Sequence, residues 1–275
     1  MKSFAKIGTF IVAILSVLYL NSSAFAENKK IVFGVAPGPY GDLVKLAVKP
    51  GLEKKGYTIE LKEFSDYVQP NLALANKSID VNVFQHRVYL EKFSADKGLK
   101  LSPLITIPTA SLGVYSKKYK SVAEIKDGST VTIANDPTNL ARALRYLQTL
   151  GFIKIKPDID AAKASEKDIG ENPHNLKVKP IEAAQLPRSI ESVDFSLVNG
   201  NYAIAAGIWS SALNRETLIE GNINLVAVRT EDLDKQFARD IKEVIESKDF
   251  LAVIDDPKNI FKDFQKPEWL KAKAN

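Results

Sequence analysis

Short apolar segments alternate with helical patterns along the first hundred residues. Residues 31–36 and 79–84 are predicted to be buried strands, and 57–64 alternates between apolar and polar positions as a half-buried strand does. The helices predicted between and after these strands cover residues 42–48, 68–76 and 89–97. Asp42, which follows a Pro-Gly-rich turn, is expected to cap the first helix. Strand and helix in turn predict an α/β protein with a mostly parallel sheet.

The pattern continues in the second half of the chain. Strands are predicted within 104–115 (broken by Pro108) and at 130–134, 193–198 and 224–229. Helices are predicted at 139–150, from 183 and at 232–247, and short strands with a turn within 152–182. The residues after 247 are polar, with a turn at Asp255-Asp256-Pro257, and no further element is predicted there. The chain thus holds two α/β units.

No flexible Gly/Ser linker separates the two units. We therefore expect strands to connect them and a cleft to lie between two lobes that can hinge. The predicted first lobe is discontinuous and comprises residues 27–110 and 226–275. The predicted second lobe comprises residues 111–225.

The N-terminus has the pattern of a secretory signal peptide. Lys2 and Lys6 precede an apolar run over 7–20, and Ala24-Phe25-Ala26 supplies small residues at a cleavage site. We predict a signal peptide over residues 1–26 and a mature start at Glu27. The alternative is a retained membrane anchor, although the run is short for a span of about 20 apolar residues.

Composition and charge restrict the possible chemistry. The chain contains no cysteine and two histidines, which argues against disulfides, thiolate metal sites and a cysteine nucleophile, so no metal and no cofactor is expected. The net charge of +5 falls to +3 after loss of the two signal lysines, and no basic block points to nucleic acid. The P-loop, nucleophile-elbow and zinc-protease motifs are missing from the sequence.

Polar and aromatic side chains stand at the ends of several predicted strands. Ligands of open α/β sheets bind at the carboxyl ends of strands, where amides and a guanidinium suit carboxylate and ammonium groups. The segments are Gly38–Tyr40, Phe84–His86, Asn135–Asn139 and Asn199–Asn201. Arg142 is placed on the first turn of its helix, where an anion is favoured. Its replacement is expected to change folding little, because a cleft-facing side chain supports no core. Each residue also has a structural alternative: core or surface for His86, a solvated helix face for Arg142, and a simple turn for Asn199 and Asn201.

Four segments together resemble a known family. FSDYVQPN (64–71), DVNVFQHRVYLE (80–91), PTNLARALRYLQ (137–148) and EAAQLPRSIESVDFSLVNGNYA (182–203) are similar to the methionine-binding lipoproteins of the NlpA/MetQ type, the solute receptors of methionine ABC importers. The resemblance covers about residues 31–270. It implies a two-lobe type II periplasmic-binding-protein fold, a monomer, and methionine in the cleft, with ABC transporter membrane subunits as partners.

The resemblance also implies site residues. Tyr67, Phe84, His86 and Tyr89 would enclose the thioether side chain. Arg142 would bind the carboxylate, and Asn199, Asn224 and Asn139 would hold the carboxylate and ammonium groups. Many family members are lipidated on a cysteine, which this sequence lacks, so a freely diffusing periplasmic receptor is expected. Leu140-Ala141 before the arginine also departs from the Gly that many members carry.

Other functions stay open on the sequence alone. The ligand can be another amino acid, a dipeptide or a small sulfur compound, and the sequence does not separate D- from L-methionine. An enzyme on the same fold, such as hydroxymethylbilane synthase, attaches its cofactor through a cysteine, and none is present. An additional adhesin or sensor role is compatible with the sequence.

Overall fold

The first of two five-stranded sheets combines strands from both ends of the chain. A computed structural model describes residues 29–160 and 163–274; the predicted signal peptide lies outside the described residues. The strands of the first sheet are β1 (Lys29–Val35), β2 (Tyr57–Glu63), β3 (Val81–His86), β4 (Leu101–Thr106) and β12 (Asn224–Arg229). Their order is β2-β1-β3-β12-β4, and β12 runs antiparallel to both of its neighbours. The sheet is therefore parallel except for one late strand in its interior.

The second sheet has the order β11-β5-β10-β6-β9. Its strands are β5 (Gly113–Tyr115), β6 (Thr130–Ala134), β9 (Lys177–Ile181), β10 (Phe195–Val198) and β11 (Asn214–Arg215). Strands β9, β6 and β10 are parallel, and β5 is antiparallel to β10 and β11. Strands β7 (Lys154–Ile155) and β8 (Ile169–Glu171) form a separate antiparallel pair, and in the chain they come between β6 and β9. Both sheets are thus mostly parallel, as the alternating pattern predicts.

Helices connect the strands of both sheets. They are α1 (Pro39–Leu43), α2 (Lys49–Lys54), α3 (Gln69–Ala75), α4 (Arg87–Lys97), α5 (Pro137–Thr149), α6 (Leu186–Ser189), α7 (Gly200–Ala205), α8 (Gln236–Ile245), α9 (Lys248–Asp255) and α10 (Glu268–Ala274). A π-helical turn, Val44–Val48, joins α1 to α2. Short 3₁₀ turns are Val122–Glu124, Glu166–Asp168, Ala183–Gln185, Trp209–Ser211, Glu220–Asn222, Thr230–Asp232 and Ile260–Asp263. Within the described ranges, no helix is long and apolar enough to cross a membrane.

The chain crosses between the sheets twice. It leaves the first sheet after Thr106 and enters the second at Gly113, then returns between Arg215 and Asn224. Strand β12 begins at Asn224, two residues before the predicted boundary at 226, and the lobe boundaries themselves remain a prediction. Two connecting segments side by side are the geometry of a hinge between lobes.

Gln265 joins the two crossing segments. Its backbone pairs with Thr109 on the outward segment through two hydrogen bonds of 2.9 and 3.0 Å. Its side chain donates to the carbonyl of Glu216 (2.9 Å) and accepts from the N–H of Leu218 (2.8 Å) on the return segment. The C-terminal segment therefore connects both halves of the hinge.

Two predicted helix starts and the C-terminal segment differ from the structure. Asp42 lies inside α1, because the helix begins at Pro39 and Gly38 occupies its N-cap. Helix α5 begins at Pro137 with Asp136 as its N-cap, so Arg142 lies in the second turn rather than the first. The helix dipole favours an anion only within the first turn. The prediction that the helix N-terminus helps Arg142 to bind an anion is therefore wrong.

The polar segment after residue 247 contains helices that the sequence pattern did not predict. Phe250, Ile254, Phe261 and Leu270 are all buried there, with 2% exposure or less. The run 250–254 is apolar throughout and is itself a signal for a helix, whereas Phe261 and Leu270 lie among mostly polar residues. The segment is folded against the core instead of forming a polar tail.

Candidate functional site

One cavity between the two sheets is lined by all eight residues that the sequence analysis selected. They are Tyr67, Phe84, His86, Tyr89, Asn139, Arg142, Asn199 and Asn224. Five further residues complete the lining: Tyr40, Gln85, Ala110, Gly200 and Asn201. The space between these side chains is about 20 Å³, which is room for about one water molecule. The structure thus brings the predicted residues together, while their part in binding stays a prediction.

The wall on the side of the first sheet is aromatic. The ring of Tyr67 stacks on Phe84 with centroids 5.8 Å apart, and Tyr89 meets Tyr67 edge-on at 6.0 Å. The Tyr89 hydroxyl donates to the Tyr67 carbonyl (3.0 Å), which fixes the angle between these rings. Burial raises the pKa of both phenols above the usual value, so both stay neutral. Such a wall suits an apolar or thioether side chain.

An amide network supports this wall from behind. Asn71, Asn82 and Gln85 are buried and linked by four side-chain hydrogen bonds of 2.6 to 2.9 Å. Asn82 and Gln85 lie on β3 and Asn71 lies on α3. The network fixes the helix that follows Tyr67 against the strand that carries Phe84. Because its polar atoms bond to one another, it does so without a buried charge.

Asn139 connects the second sheet to the first. Its amide nitrogen donates to both carboxylate oxygens of Asp136 (3.1 and 2.9 Å), and its oxygen accepts from the Asn199 amide (2.9 Å). The same oxygen lies 3.4 Å from Nε2 of His86 on the opposite lobe. These partners occupy its amide group. The geometry makes Asn139 a bridge that orients Asn199.

His86 is a buried, neutral N-cap. It ends β3, and its Nδ1 accepts a hydrogen bond from the backbone N–H of Tyr89 (3.1 Å), which caps α4 and places the proton on Nε2. Burial, reinforced by the charge of Arg142, lowers the pKa of His86 from 6.5 to about 3. The structure therefore places it between the two walls rather than on the surface. It can contribute shape and one hydrogen-bond donor there.

Asn224 begins β12 and faces the aromatic wall. Its amide nitrogen donates to the Phe84 carbonyl (3.1 Å), and its backbone N–H donates to the Thr109 hydroxyl (2.8 Å). Its side chain also bonds to the Tyr40 hydroxyl, which is buried and neutral because desolvation raises the pKa of that phenol. Asn224 thus holds Phe84 and Tyr40 at the base of the cavity.

Arg142 carries the positive charge of the cavity and is paired with an acid that the sequence analysis missed. Its Nε donates to both carboxylate oxygens of Glu216 (2.9 and 2.8 Å), and both side chains are buried. The structure contradicts the reason for expecting little change in folding, because Arg142 is one member of a buried ion pair and its removal would leave the charge of Glu216 buried without a partner. Glu216 is 74 residues away in sequence, and no motif marks it.

One donor and one acceptor of the lining are buried without a hydrogen-bond partner among the described residues. The donor is Nη2 of Arg142, and the acceptor is Oδ1 of Asn199. Unpaired buried polar atoms are costly and therefore rare in folded proteins. A donor with a positive charge and a neutral acceptor in one cavity match the carboxylate and the ammonium of an amino acid.

The two lobes touch closely beside the cavity. The Asn201 side chain accepts from the Tyr67 hydroxyl (2.7 Å) and donates to the Pro37 carbonyl (3.0 Å). Gly38 has a φ of 115°, and a Cβ at this position would lie 2.4 Å from the Asn201 carbonyl oxygen. A glycine is required here by both its backbone conformation and the close approach. Tyr40, Gln85 and Asn201 also line the cavity. They lie in the strand-end segments that the sequence analysis identified, but the sequence did not show whether they were site residues or ordinary turn residues.

Comparisons with known proteins agree with this arrangement. A family model described as NlpA lipoprotein matches residues 31–269. The D-methionine-binding lipoprotein MetQ of Salmonella typhi is 36% identical over 252 residues, which cover 90% of this chain and 90% of the relative. Two solved structures superimpose well on the fold. A nutrient binding protein of Burkholderia cenocepacia, bound to methionine, has a TM-score of 0.78 and 36% identity and covers 82% of this chain and 95% of its own.

The second structure is an ABC transporter periplasmic substrate-binding protein from Coxiella burnetii. It has a TM-score of 0.79 at 32% identity, and the match covers 86% of this chain and 99% of that chain. The segments quoted in the sequence analysis lie within the matched family region, so the resemblance drawn from them is confirmed. The fold, the predicted family and the match over residues 31–269 agree, and the chain belongs to the NlpA lipoprotein family.

Proposed function

We propose that this protein is an extracytoplasmic receptor that captures methionine between its two lobes and delivers it to an ABC importer. The names of its relatives support the ligand and the transport role, since one is a D-methionine-binding lipoprotein and another is a periplasmic substrate-binding protein of an ABC transporter. The chain binds its ligand and performs no reaction on it. The membrane subunits recognise the closed form.

The observation that carries this proposal is the pair of unpartnered atoms in the cavity. Nη2 of Arg142 binds the carboxylate, and Oδ1 of Asn199 accepts from the ammonium group. The aromatic wall of Tyr67, Phe84 and Tyr89 then faces the thioether. Because the space between the walls is about 20 Å³, the lobes open around their hinge to admit the amino acid and close again over it.

The mature receptor diffuses freely in the periplasm as a monomer. Cleavage after Ala26 releases it, and the sequence offers no cysteine for a lipid anchor. N-terminal sequencing of an osmotic-shock fraction is expected to begin at Glu27. Recovery of intact Met1 in the membrane fraction would show that residues 1–26 act as an anchor.

A thermal-shift titration tests the ligand. The mature protein is unfolded, dialysed to remove bound molecules, refolded, and titrated with each standard amino acid and with both enantiomers of methionine. A ligand that binds the folded state alone stabilises by about 2.7 kcal/mol at a hundredfold excess over Kd, which raises Tm by several degrees. We expect methionine to give the largest shift. A clear shift with a different amino acid and none with methionine would refute the assignment.

A further inference from the structure

Glu216 contacts Arg142 in a way that leaves half of the guanidinium group for the cavity. Both carboxylate oxygens accept from Nε, while Nη2 stays buried and without a partner among the described residues. A guanidinium has five N–H donors in a fixed plane. Because both hydrogen bonds to Glu216 come from Nε, the N–H groups of the two terminal nitrogens are left for other partners.

Three residues from different parts of the chain form hydrogen bonds with Glu216. Its backbone N–H donates to the Leu112 carbonyl (3.0 Å), and its carbonyl accepts from the Gln265 side chain (2.9 Å). The Asn222 amide lies 3.4 Å from Oε1 of its carboxylate. Glu216 is 8% exposed, so it does not exchange these contacts freely with water. The acid is therefore part of the hinge as well as a neighbour of the cavity.

The charge of the cavity depends on this acid. Among the described residues that line it, Arg142 has a formal charge at pH 7, and the others are aromatic, amide or small side chains and a neutral histidine. No carboxylate is among them. With Glu216 the buried pair is neutral. Without Glu216 the charge of Arg142 loses the acid that it contacts directly, while the next carboxylate, Asp136, is bonded to Asn139.

We propose that Glu216 is the positioning residue that orients Arg142 and, by neutralising it, makes the site select a zwitterion over an anion of the same shape. This inference rests on the proposed function, since it assumes that Arg142 binds the carboxylate of an amino acid. A zwitterion suits a neutral pair that offers one free donor edge. A deaminated carboxylate carries a net negative charge and suits an uncompensated guanidinium.

The test compares two ligands in two proteins. Calorimetry gives Kd for methionine and for 4-(methylthio)butanoate, which lacks the ammonium group, in the wild type and in Glu216→Gln. The glutamine keeps the shape and one acceptor for Nε but removes the charge. We expect the ratio of the butanoate Kd to the methionine Kd to fall about tenfold or more in Glu216→Gln. If Glu216 has only a structural role, Glu216→Gln would raise both Kd values by the same factor. The ratio would then stay unchanged, and this result would overturn the proposal.

Two further variants keep the result interpretable. Glu220→Gln removes an exposed acid four residues away and is expected to leave both Kd values unchanged. Glu216→Asp retains the charge on a shorter side chain, so it should weaken both ligands and preserve the ratio. If Glu216→Gln does not fold, the wild type still tests the proposal: a butanoate Kd at least tenfold above the methionine Kd supports it, and equal Kd values overturn it.

The outcome is separable from that of the proposed function. If the wild type binds an amino acid other than methionine, the same comparison is made with that amino acid and its deaminated acid, and the argument about Glu216 is tested unchanged. If the wild type binds no amino acid, the proposed function fails first, and the inference about Glu216 fails with it.

Discussion

The two walls of the cavity differ in whether their polar atoms are hydrogen-bonded. On the first lobe, Tyr67, Phe84 and Tyr89 pack ring against ring, and their polar atoms are bonded. On the second lobe, Arg142 and Asn199 keep one buried donor and one buried acceptor unbonded. The hydroxyls of the aromatic wall are both bonded, that of Tyr67 to Asn201 of the second lobe, whereas the polar wall has two atoms without a partner among the described residues.

This difference divides the work of recognition. The aromatic wall can accept any apolar side chain of suitable length, so it sets a preference by shape and area. We expect the polar wall to give the larger share of the binding energy for any amino acid, because it would gain hydrogen bonds that it otherwise lacks. Selectivity among amino acids and affinity for them are therefore expected to respond to different residues.

The largest expected effect is that of Arg142→Ala. It removes the charged donor and leaves Glu216 buried without its partner, so we expect Kd to rise tenfold to several hundredfold from a lost charged hydrogen bond of about 1.5–3 kcal/mol. The free energy of unfolding should also fall by about 3–5 kcal/mol. Calorimetry and urea unfolding measure the two effects. Arg142→Lys should restore binding in part, because an ammonium lacks the planar fork.

Two variants sharpen the test of Arg142. The double variant Arg142→Met/Glu216→Leu replaces the pair by apolar groups, so stability should return while binding stays lost. Phe84→Leu changes the aromatic wall, and it should alter the ranking of amino acids more than their common affinity. Unchanged methionine affinity in Arg142→Ala would show that the carboxylate binds elsewhere.

A smaller effect is expected where the two walls meet, at Gly38. A methyl group there would lie 2.4 Å from the Asn201 carbonyl oxygen of the other lobe, so Gly38→Ala should keep the lobes from closing fully. We expect a loss of affinity of about tenfold and a larger radius in small-angle scattering with methionine bound. Gly56→Ala is the matched control. Gly56 also has a positive φ, 85°, but no atom lies within 4 Å of its added Cβ.

Both variants introduce backbone strain, and only Gly38→Ala introduces the clash. Both should lose stability by about 1–3 kcal/mol from strain, and Gly38→Ala should lose more than Gly56→Ala, because the φ of 115° and ψ of −149° at Gly38 lie in a region that is essentially limited to glycine. Equal affinities in the two variants would mean that the contact between Gly38 and Asn201 is not needed for closure.

The last effect is one on stability alone and concerns His86, which lies between the walls. The unfolded chain binds a proton on His86 below pH 6.5, whereas the folded chain does so near pH 3. The unfolded state therefore holds more protons in this window, and the free energy of unfolding falls as the pH falls. Between pH 7 and 5 the loss from this group is about 2 kcal/mol. His86→Asn keeps an N-cap acceptor and should remove that part of the pH dependence in urea unfolding; parallel curves for the two proteins would contradict it.

Local patterns predicted most of the strands well. The predicted bounds of β6 and β12 agree with the structure. β12 is an apolar run between Asn224 and Arg229, and β6 is a short segment rich in β-branched residues that ends before a polar turn. The predicted start of α5 was late by two residues, since Pro137 at the first helical position and Asp136 as its cap were treated as part of the loop. That error placed Arg142 on the wrong turn.

The candidate site was predictable in part and for a specific reason. Its residues follow strands, so the carboxyl ends of the two sheets bring His86 and Asn199 together from positions more than a hundred residues apart. Glu216 does not follow this rule, because a salt bridge between distant segments leaves no periodic pattern in the chain. The eight site residues were chosen from the resemblance to the family, and the fold explains why they line one cavity.

The position of β12 has a consequence for the time at which the protein can fold. This strand lies between β3 and β4 in the first sheet, yet Asn224 is 138 residues after His86, the end of β3. At about 5–20 residues per second, synthesis takes on the order of ten seconds to supply it. Until then β3 and β4 have unpaired edges and the first lobe has no closed core. A chain that begins with a predicted export signal benefits from this delay, because it stays unfolded while it is still being moved across a membrane.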